Sequence, residues 1–513
     1  MRTLVLLTLV GACSQNQSGD VKDPVVAETD DTGGDDTGRG DSTGTTDSAT
    51  TVETGPVDAD ADGYPEDVDC DDTDPEVNPG AAEVCNGYDD NCDGHSDADD
   101  DIDLDGISDC SDYCPVYAAW GAGGDGRYMD PMSTIQEAVD LAGTNGCYEV
   151  RAFQGTYYEN VDWHGYPVNA ESLSGPETTL IDGQTLDSVI RFVTSETEDA
   201  RIYGFTLTNG GGDAGAGIEM NGSSPVVEGN RIVGNATTAY NHLGGGILTV
   251  DGAPTIIDNE ISGNNAGFGG DENGCDGGGI NIRRGAPYIS GNLIVDNTAG
   301  DGGGIWTAYA DATIVNNVIS GNIAVDADTE AGGQGGGINV QIAGPNETLV
   351  IANLITDNIA GMFGGGVVTY EDNSTYAEAR FENNVIAFNE VTDTAYGAGV
   401  CQYRRTTPTL VNNLIYGNHG VGVYSEDDID GTYTYNGVWL NETDYDGLDG
   451  TGAGNVSVDP QFVDAIDDLD WTNDAWALRA GSPGIDAGDP SILDADGSRS
   501  DLGGYGGPNG SWP

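Results

Sequence analysis

The sequence predicts an all-β chain whose bulk is a parallel β-helix, and three observations carry that prediction. The phrase Asn-x-Ile-x-x-Asn occurs seven times: NRIVGN (230–235), NEISGN (259–264), NLIVDN (292–297), NVISGN (317–322), NLITDN (353–358), NVIAFN (384–389) and NLIYGN (413–418). A second phrase, Gly-x-Gly followed by Ile or Val, begins at Gly215, Gly244, Gly277, Gly302, Gly335, Gly364 and Gly397, with a degenerate last copy at Gly420. Its starts lie 29, 33, 25, 33, 29, 33 and 23 residues apart, a solenoid period whose variation belongs in turns. Each period holds two or three short β-branched runs, such as GGGINI, APYIS and NLIV, separated by Gly, Asn and Asp. No amphipathic helix fits between them, which excludes leucine-rich and TPR-like solenoids. The spacing also excludes the nine-residue calcium-toxin repeat.

The repeated asparagines have a physical reason. In a strand, Asn292 and Ile294 share one face, so Asn292 points into the coil or its corner. The residue before the second Asn is Gly at 234, 263, 321 and 417, Asp at 296 and 357, and Phe only at 388. That is turn chemistry, which places the second Asn in or just after a bend, where a left-handed backbone is tolerated. Coils stack about 4.8 Å apart, so each amide can bond the rung above and the rung below. A buried polar ladder stays satisfied only if every rung carries one. The repetition therefore speaks of architecture and not of activity.

The elements follow in order from the N-terminus. MRTLVLLTLVGAC has one Arg and a short apolar run from Leu4 to Val10, too short to span a bilayer and suited to a signal peptide over 1–12. Val-Gly-Ala-Cys resembles a bacterial lipobox, which implies lipidation of Cys13. Ser14 in the next position resembles an outer-membrane or cell-surface address. Residues 13–57 are an acidic Thr, Ser, Asp and Gly tract with no apolar periodicity, which implies a disordered tether. Acidic residues number 88 against 15 basic ones, for a formal charge of −73. Such a chain repels nucleic acid and anionic membrane surfaces, leaving the lipid as its membrane contact. Of nine cysteines, Cys70, Cys85, Cys92, Cys110 and Cys114 crowd into one stretch. An exported location permits disulfides there, with Cys147 as a sixth partner and connectivity left open.

Residues 58–114 form an acidic, Cys-containing segment with three twelve-residue calcium-loop matches. DADADGYPEDVD places Asp58, Asp60 and Asp62 at positions 1, 3 and 5, Gly63 at 6 and Asp69 at 12. The second match places Asp89, Asn91, Asp93, Gly94, Asp97 and Asp100 in the same register. The third has Asp101, Asp103, Asp105, Gly106, Asp109 and Asp112. Alternate side chains of a tight turn converge on one point, and Gly permits the bend. Position 12 is Asp where Glu is usual, and the flanks lack helical patterns, so these are not helix–loop–helix hands. The stretch DCDDTDPEVNPGAAEVCNGYDDNCDG (69–94) resembles the acidic, Cys-bearing metal-binding motif of bacterial surface proteins named after a copper-binding one. Copper favours nitrogen and sulfur ligands, and the segment offers only His95. Calcium, in a structural role, is the expected ion.

The β-helix is expected over 115–460. STIQEAVDLA (133–142) reads as a helix with Ser133 and Gln136 as a capping box and Ile135, Ala138, Val139 and Ala142 on one face. It can plug the open end, whose unpaired edges invite aggregation. The helix, GTYYENV (155–161), TLIDG (179–183) and GFTLTNG (204–210) together resemble the pectate-lyase-like right-handed parallel β-helix superfamily. VDPQFVD, GSPGIDAGDP and DADGSRSDLGGYGGP resemble the closing segment (461–513) of bacterial surface β-helix proteins. This scaffold hosts lyases, hydrolases, esterases and adhesins, so the resemblance implies fold and not activity.

Stacking the repeats in register brings Arg283, Arg284, Tyr309, Tyr370, Glu371, Tyr403, Arg404 and Arg405 to one flank. Tyrosines stack on sugar rings. Uronate-processing β-helix enzymes use Arg or Lys as a base, often with calcium. A glycosidase needs two facing carboxylates, and adjacent Glu371 and Asp372 need not face each other. No residues match the calcium-aspartate and Arg signature of pectate lyases. His164, His242 and His419 are expected to be isolated turn or surface residues. The expectation is a lipid-anchored surface protein whose β-helix binds polysaccharide or matrix glycan. The alternatives are a polysaccharide lyase or glycoside hydrolase, and a purely structural role.

Overall fold

The computed structural model describes residues 58–81, 88–92, 94, 114–237, 243–267, 275–325, 332–343, 347–370, 379–392, 396–404, 406–426, 431–448, 450 and 452–510. The chain divides into two units, Met1–Asp97 and Ala98–Pro513. The second is a parallel β-solenoid. Three sheets of twelve, eleven and eleven parallel strands are each built by pairing one strand with its equivalent in the next coil, and a four-stranded strip adds a short extra side.

The repeat phrases account for this register. The residue after each Gly-x-Gly stacks as Ile218, Ile247, Ile280, Ile305, Ile338, Val367, Val400 and Val423. The Ile of the asparagine phrase stacks as Ile232, Ile261, Ile294, Ile319, Ile355, Ile386 and Ile415, ending on Val438. Val227, Ile256, Ile289, Ile314, Val350, Phe381 and Leu410 supply the third column. All three columns are buried and form one continuous core. The Gly-x-Gly glycines make the coils fit. A Cβ on Gly279 would lie 2.6 Å from the carbonyl of Gly304 in the next coil and 3.0 Å from Cγ2 of Ile294.

The asparagines form two ladders, as the repetition implies. Asn322 donates through Nδ2 to Asn358 Oδ1 at 3.0 Å and to the Ile294 carbonyl at 2.9 Å. Its Oδ1 accepts the main-chain and side-chain amides of Asn297, each at 3.0 Å. The same pattern carries Asn230 through Asn436 to Asn455 on the first ladder and Asn235 through Asn418 to Asn441 on the second. The second Asn sits just after the bend, one of the two places expected for it, and the left-handed backbone is not its own. That conformation sits on the residue before each Asn, as at Asp296, Asp357 and Phe388 with φ of 56°, 57° and 55°. It precedes the first Asn too, at Asp258, Asn316, Ala352, Asn383 and Asn412. The bend turns the corner, and the Asn that follows is already inside.

The helix Ile135–Asn145 buries Ile135, Ala138, Val139 and Ala142 against the first coil, as its pattern requires. Its cap is shifted by one residue from the expected Ser133 and Gln136 pair. Thr134 is the N-cap and accepts the Glu137 amide at 3.1 Å, while Ser133 donates to Glu137 at 2.6 Å. Gln136 has a different task. Its amide pairs with Asp162 as a strand would, accepting the main-chain N–H at 2.7 Å and donating to the carbonyl at 2.9 Å. Glu159 takes the free amides of Ile135 and Gln136 at 2.8 and 3.0 Å, which suits a carboxylate at a helix N-terminus. Cys114 and Cys147 form a disulfide beside the helix.

The closing segment folds back along the outside of the solenoid. Phe462, Trp476 and Leu502 cover Leu354, Val385 and Leu414, apolar residues on the outer face of the second column's sheet. Two corner asparagines hold the returning chain. Asn383 donates to Asp501 and Gly503 carbonyls at 2.9 and 3.2 Å, and Asn412 accepts the Asp489 amide at 2.6 Å.

Candidate functional site

Two regions gather chemistry-bearing side chains. The first is the acidic segment of the first unit. Asp58, Asp60 and Asp62 each bring a ligand oxygen within 4.8 Å of the others, and Asp60, Asp69 and Asp72 do the same. Asp58 accepts the amides of Ala61 at 2.7 Å and Gly63 at 3.2 Å, and Asp62 accepts that of Tyr64 at 2.8 Å. These bonds hold the turn shut with the carboxylates inward. The second loop has the same bend. Gly94 donates to Asp89 at 2.9 Å, as Gly63 does to Asp58. Position 4 is left-handed in both, at Ala61 (φ 69°) and Cys92 (φ 58°), and position 6 has positive φ in both, at Gly63 and Gly94.

The donor set suits a hard divalent cation. Oδ2 of Asp60, of Asp62 and of Asp69 is buried without a hydrogen-bond partner, a costly state for a carboxylate that a cation would relieve. Burial, with Asp62, Asp69 and Asp58 close by, pushes the Asp60 carboxyl up. Asp72 lies beyond the twelve-residue register, so the sequence pattern missed it; the acidic run after Cys70 was the available signal. Cys70 and Cys92 form a disulfide that ties the two loops, so their sulfurs are not thiolate ligands. Asn91 lies in the second loop's turn. Asp93, Asp97, Asp100, Asp101, Asp103, Asp105, Asp109, Asp112 and Cys13 lie outside the described residues.

The second region is the predicted flank, and here the expectation needs correction. The candidates separate into two groups. Arg283 pairs with buried Asp276 at 3.0 Å and lies 4.9 Å from the Trp306 ring centre. Burial raises the Asp276 carboxyl against the pull of Arg283. Arg284 grips Asp251 through two bonds, and Tyr309 is exposed on the next rung. Three and four rungs from Arg284, about 14 and 19 Å at 4.8 Å each, Tyr370 and Tyr403 stack in parallel at 5.7 Å. Arg404 lies over both, at 5.0 and 5.6 Å. Phe363 and Tyr396 wall this platform from one side. Glu371 and Arg405 lie outside the described residues.

Electrostatics distinguish the groups. Arg191, Arg201 and Arg231 each pair with a glutamate one coil on, at 3.1, 2.9 and 2.7 Å. Arg127, Arg151 and Arg380 also have carboxylate partners. Arg479 and Arg499 donate to carbonyls. Among the described residues, Arg404 is the one arginine whose guanidinium has neither. Glu426 accepts its main-chain amide at 2.9 Å instead.

One feature escaped sequence reasoning altogether. His419, expected to be isolated, pairs with Asp467 of the returning segment at 3.1 Å. The pair borders a hollow of about 310 Å³ with Phe388, Tyr416 and Glu442. Nearby, Asp357 is 6% exposed with Oδ1 unpartnered, and Asp474 has a buried unpartnered Oδ2. Burial pushes both carboxyls up to about 6, reinforced for Asp357 by Asp474, Asp467 and Asp468. No local pattern joins His419 to Asp467, 48 positions on, or Asp357 to Asp474, 117 positions on. His164 bonds Asp140 at 2.9 Å at the surface, and His242 lies outside the described residues.

Residues 69–98 match the family described as "Putative metal-binding motif". No curated protein matches the chain. Several solved structures are similar to it. Pectate lyase Pel9A has 16% identity and a TM-score of 0.39, covering 76% of this chain and 96% of that one. The A-module of Azotobacter vinelandii mannuronan C-5 epimerase AlgE6 has 17% identity and a TM-score of 0.36, covering 64% and 95%. PfbA, a surface adhesin of Streptococcus pneumoniae, has 14% identity and a TM-score of 0.39, covering 66% and 91%. At these scores the likeness carries no inference about activity.

Proposed function

We propose that this chain is a lipid-anchored surface protein whose β-helix binds an acidic polysaccharide at Tyr370, Tyr403 and Arg404. The observation that carries the reading is the guanidinium of Arg404. In a chain with 88 acidic and 15 basic residues, it alone among the described arginines has no carboxylate or carbonyl partner, and it lies over two stacked tyrosines. A sugar ring can pack on the tyrosines while its carboxylate or sulfate meets the guanidinium. The elongated sheet beside the platform suits a chain-like ligand. Cys13 carries the lipid, residues 13–57 hold the folded units away from the outer membrane or cell surface, and 58–114 is a calcium-stabilised stalk. Strand twist favours right-handed winding for the solenoid over 115–460.

The test incubates the purified chain with acidic and neutral polysaccharides, with calcium and with EDTA. Retention of acidic glycans, weakened at least tenfold by Arg404→Ala and by Tyr403→Ala with the fold intact, is the expected result. Equal retention by the variants refutes the site. Shortened chains with unsaturated ends would make the protein a lyase, and shortened chains without them a hydrolase.

A further inference from the structure

The first acidic loop has more carboxylates than one ion requires, and they are arranged in two groups. In a single-ion loop, position 12 joins positions 1, 3 and 5 around one cation. Here the position-12 residue, Asp69, groups with Asp60 and Asp72, while Asp58 and Asp62 group with Asp60 alone. Asp60 belongs to both triads. Its Oδ1 accepts the Asp62 amide at 3.2 Å, and its Oδ2 is buried without a partner. Asp69 is the buried member, 8% exposed; its Oδ1 accepts the Asp71 amide at 2.9 Å and its Oδ2 is unpartnered. Asp72 is drawn in by the Ala59 amide, which donates to its Oδ1 at 3.0 Å.

We propose that this loop holds two divalent cations bridged by Asp60, one on Asp58 and Asp62 and the other on Asp69 and Asp72. The inference rests on the calcium reading of the stalk and deepens it. Charge supports it: one divalent cation would leave the five carboxylates with three uncompensated charges, and two leave one. A hard cation of this kind takes carboxylate, carbonyl and water oxygens, and the sulfurs nearest Asp69, those of Cys70 and Cys92, are held in a disulfide. The second ion would sit next to Cys70, whose disulfide to Cys92 leads into the second loop.

The experiment counts calcium ions on the purified chain by equilibrium dialysis and titration calorimetry, with the chain stripped beforehand. Asp72→Asn keeps the Ala59 bond through its amide oxygen and removes only the charge. It should lose one ion per chain, or weaken one site at least tenfold, and leave the others unchanged. Asp58→Asn should do the same to a different ion, and Asp60→Asn should remove both. If all three variants lose the same single ion, or Asp72→Asn binds as the parent does, the two-ion arrangement is wrong while the calcium reading stands. A parent chain that takes up no calcium overturns both. Asp74→Asn, beside the cluster but outside the triads, should match the parent; a loss there would mean bulk charge and not ligation, and would overturn the assignment.

Discussion

Replacing Asn322 by alanine takes one rung from the middle of the second asparagine ladder. The side chain is fully buried and engaged at both ends. Its loss leaves the Asn297 main-chain amide without the acceptor it has at 3.0 Å, and the Ile294 carbonyl without the donor it has at 2.9 Å. Asn358 Oδ1 still accepts the main-chain amide of residue 322. Two buried groups are thus left short, at about 1–3 kcal/mol each, the Asn297 side-chain amide loses one of its two bonds, and a small cavity adds to this. The expected cost is about 3–5 kcal/mol. Asn441 ends the same ladder and is partly exposed, so water can replace its bonds, and Asn441→Ala should cost about 1 kcal/mol. Solenoids open locally, so denaturant unfolding should be paired with native-state hydrogen exchange at the Asn297 amide. A cost under about 1 kcal/mol for Asn322→Ala, or unchanged exchange at Asn297, would refute the view that the ladder's interior rungs are structural necessities.

Three further predictions follow from other parts of the molecule. Gly279→Ala should destabilise the chain by at least about 2 kcal/mol, because the new methyl meets backbone of the next coil at 2.6 Å; a thermal midpoint equal to the parent's would contradict the packing. Asp357 and Asp474 have carboxyls raised to about 6 from a usual 3.8. Between those values the folded state binds more protons than the unfolded one, so their contribution is fully present below about pH 4 and lost as pH rises through 6, worth at most about 3 kcal/mol for buried Asp357 and less for the more solvated Asp474. Proteolysis of the returning segment should therefore be faster at pH 7.5 than at pH 5, and Asp357→Asn should flatten the difference; an unchanged pH profile in that variant would dissociate the two. Chelation should expose 58–94 to protease while the solenoid stays resistant, and an identical digestion pattern with and without EDTA would count against an ion in these loops.

The fold was readable from the sequence because a solenoid is local physics repeated. The Ile positions, the asparagines and the glycines each recur in one linear phrase, and stacking in register needs only the period. The capping helix was equally visible from its apolar face, although the cap itself slid by one residue, since Thr134 and Ser133 compete for the same geometry. The convergence of carboxylates in the first acidic loop could be read for the same reason: Asp58, Asp60, Asp62 and Asp69 lie within twelve residues. Asp72 could not, because its place depends on how the chain leaves the loop. Nor could the division of the flank. Register correctly put Arg283 and Arg404 on one side, but their partners decide their availability. Asp276 neutralises Arg283 from the preceding turn, whereas Arg404 is left on the tyrosines. The meeting of His419 with Asp467 lies furthest from sequence reasoning. Repetition dictated the coils, each of which buries an Ile and satisfies an Asn. The path of the non-repeating closing segment was decided by tertiary structure, because only the assembled solenoid presents the apolar outer strip of Leu354, Val385 and Leu414 on which it settles.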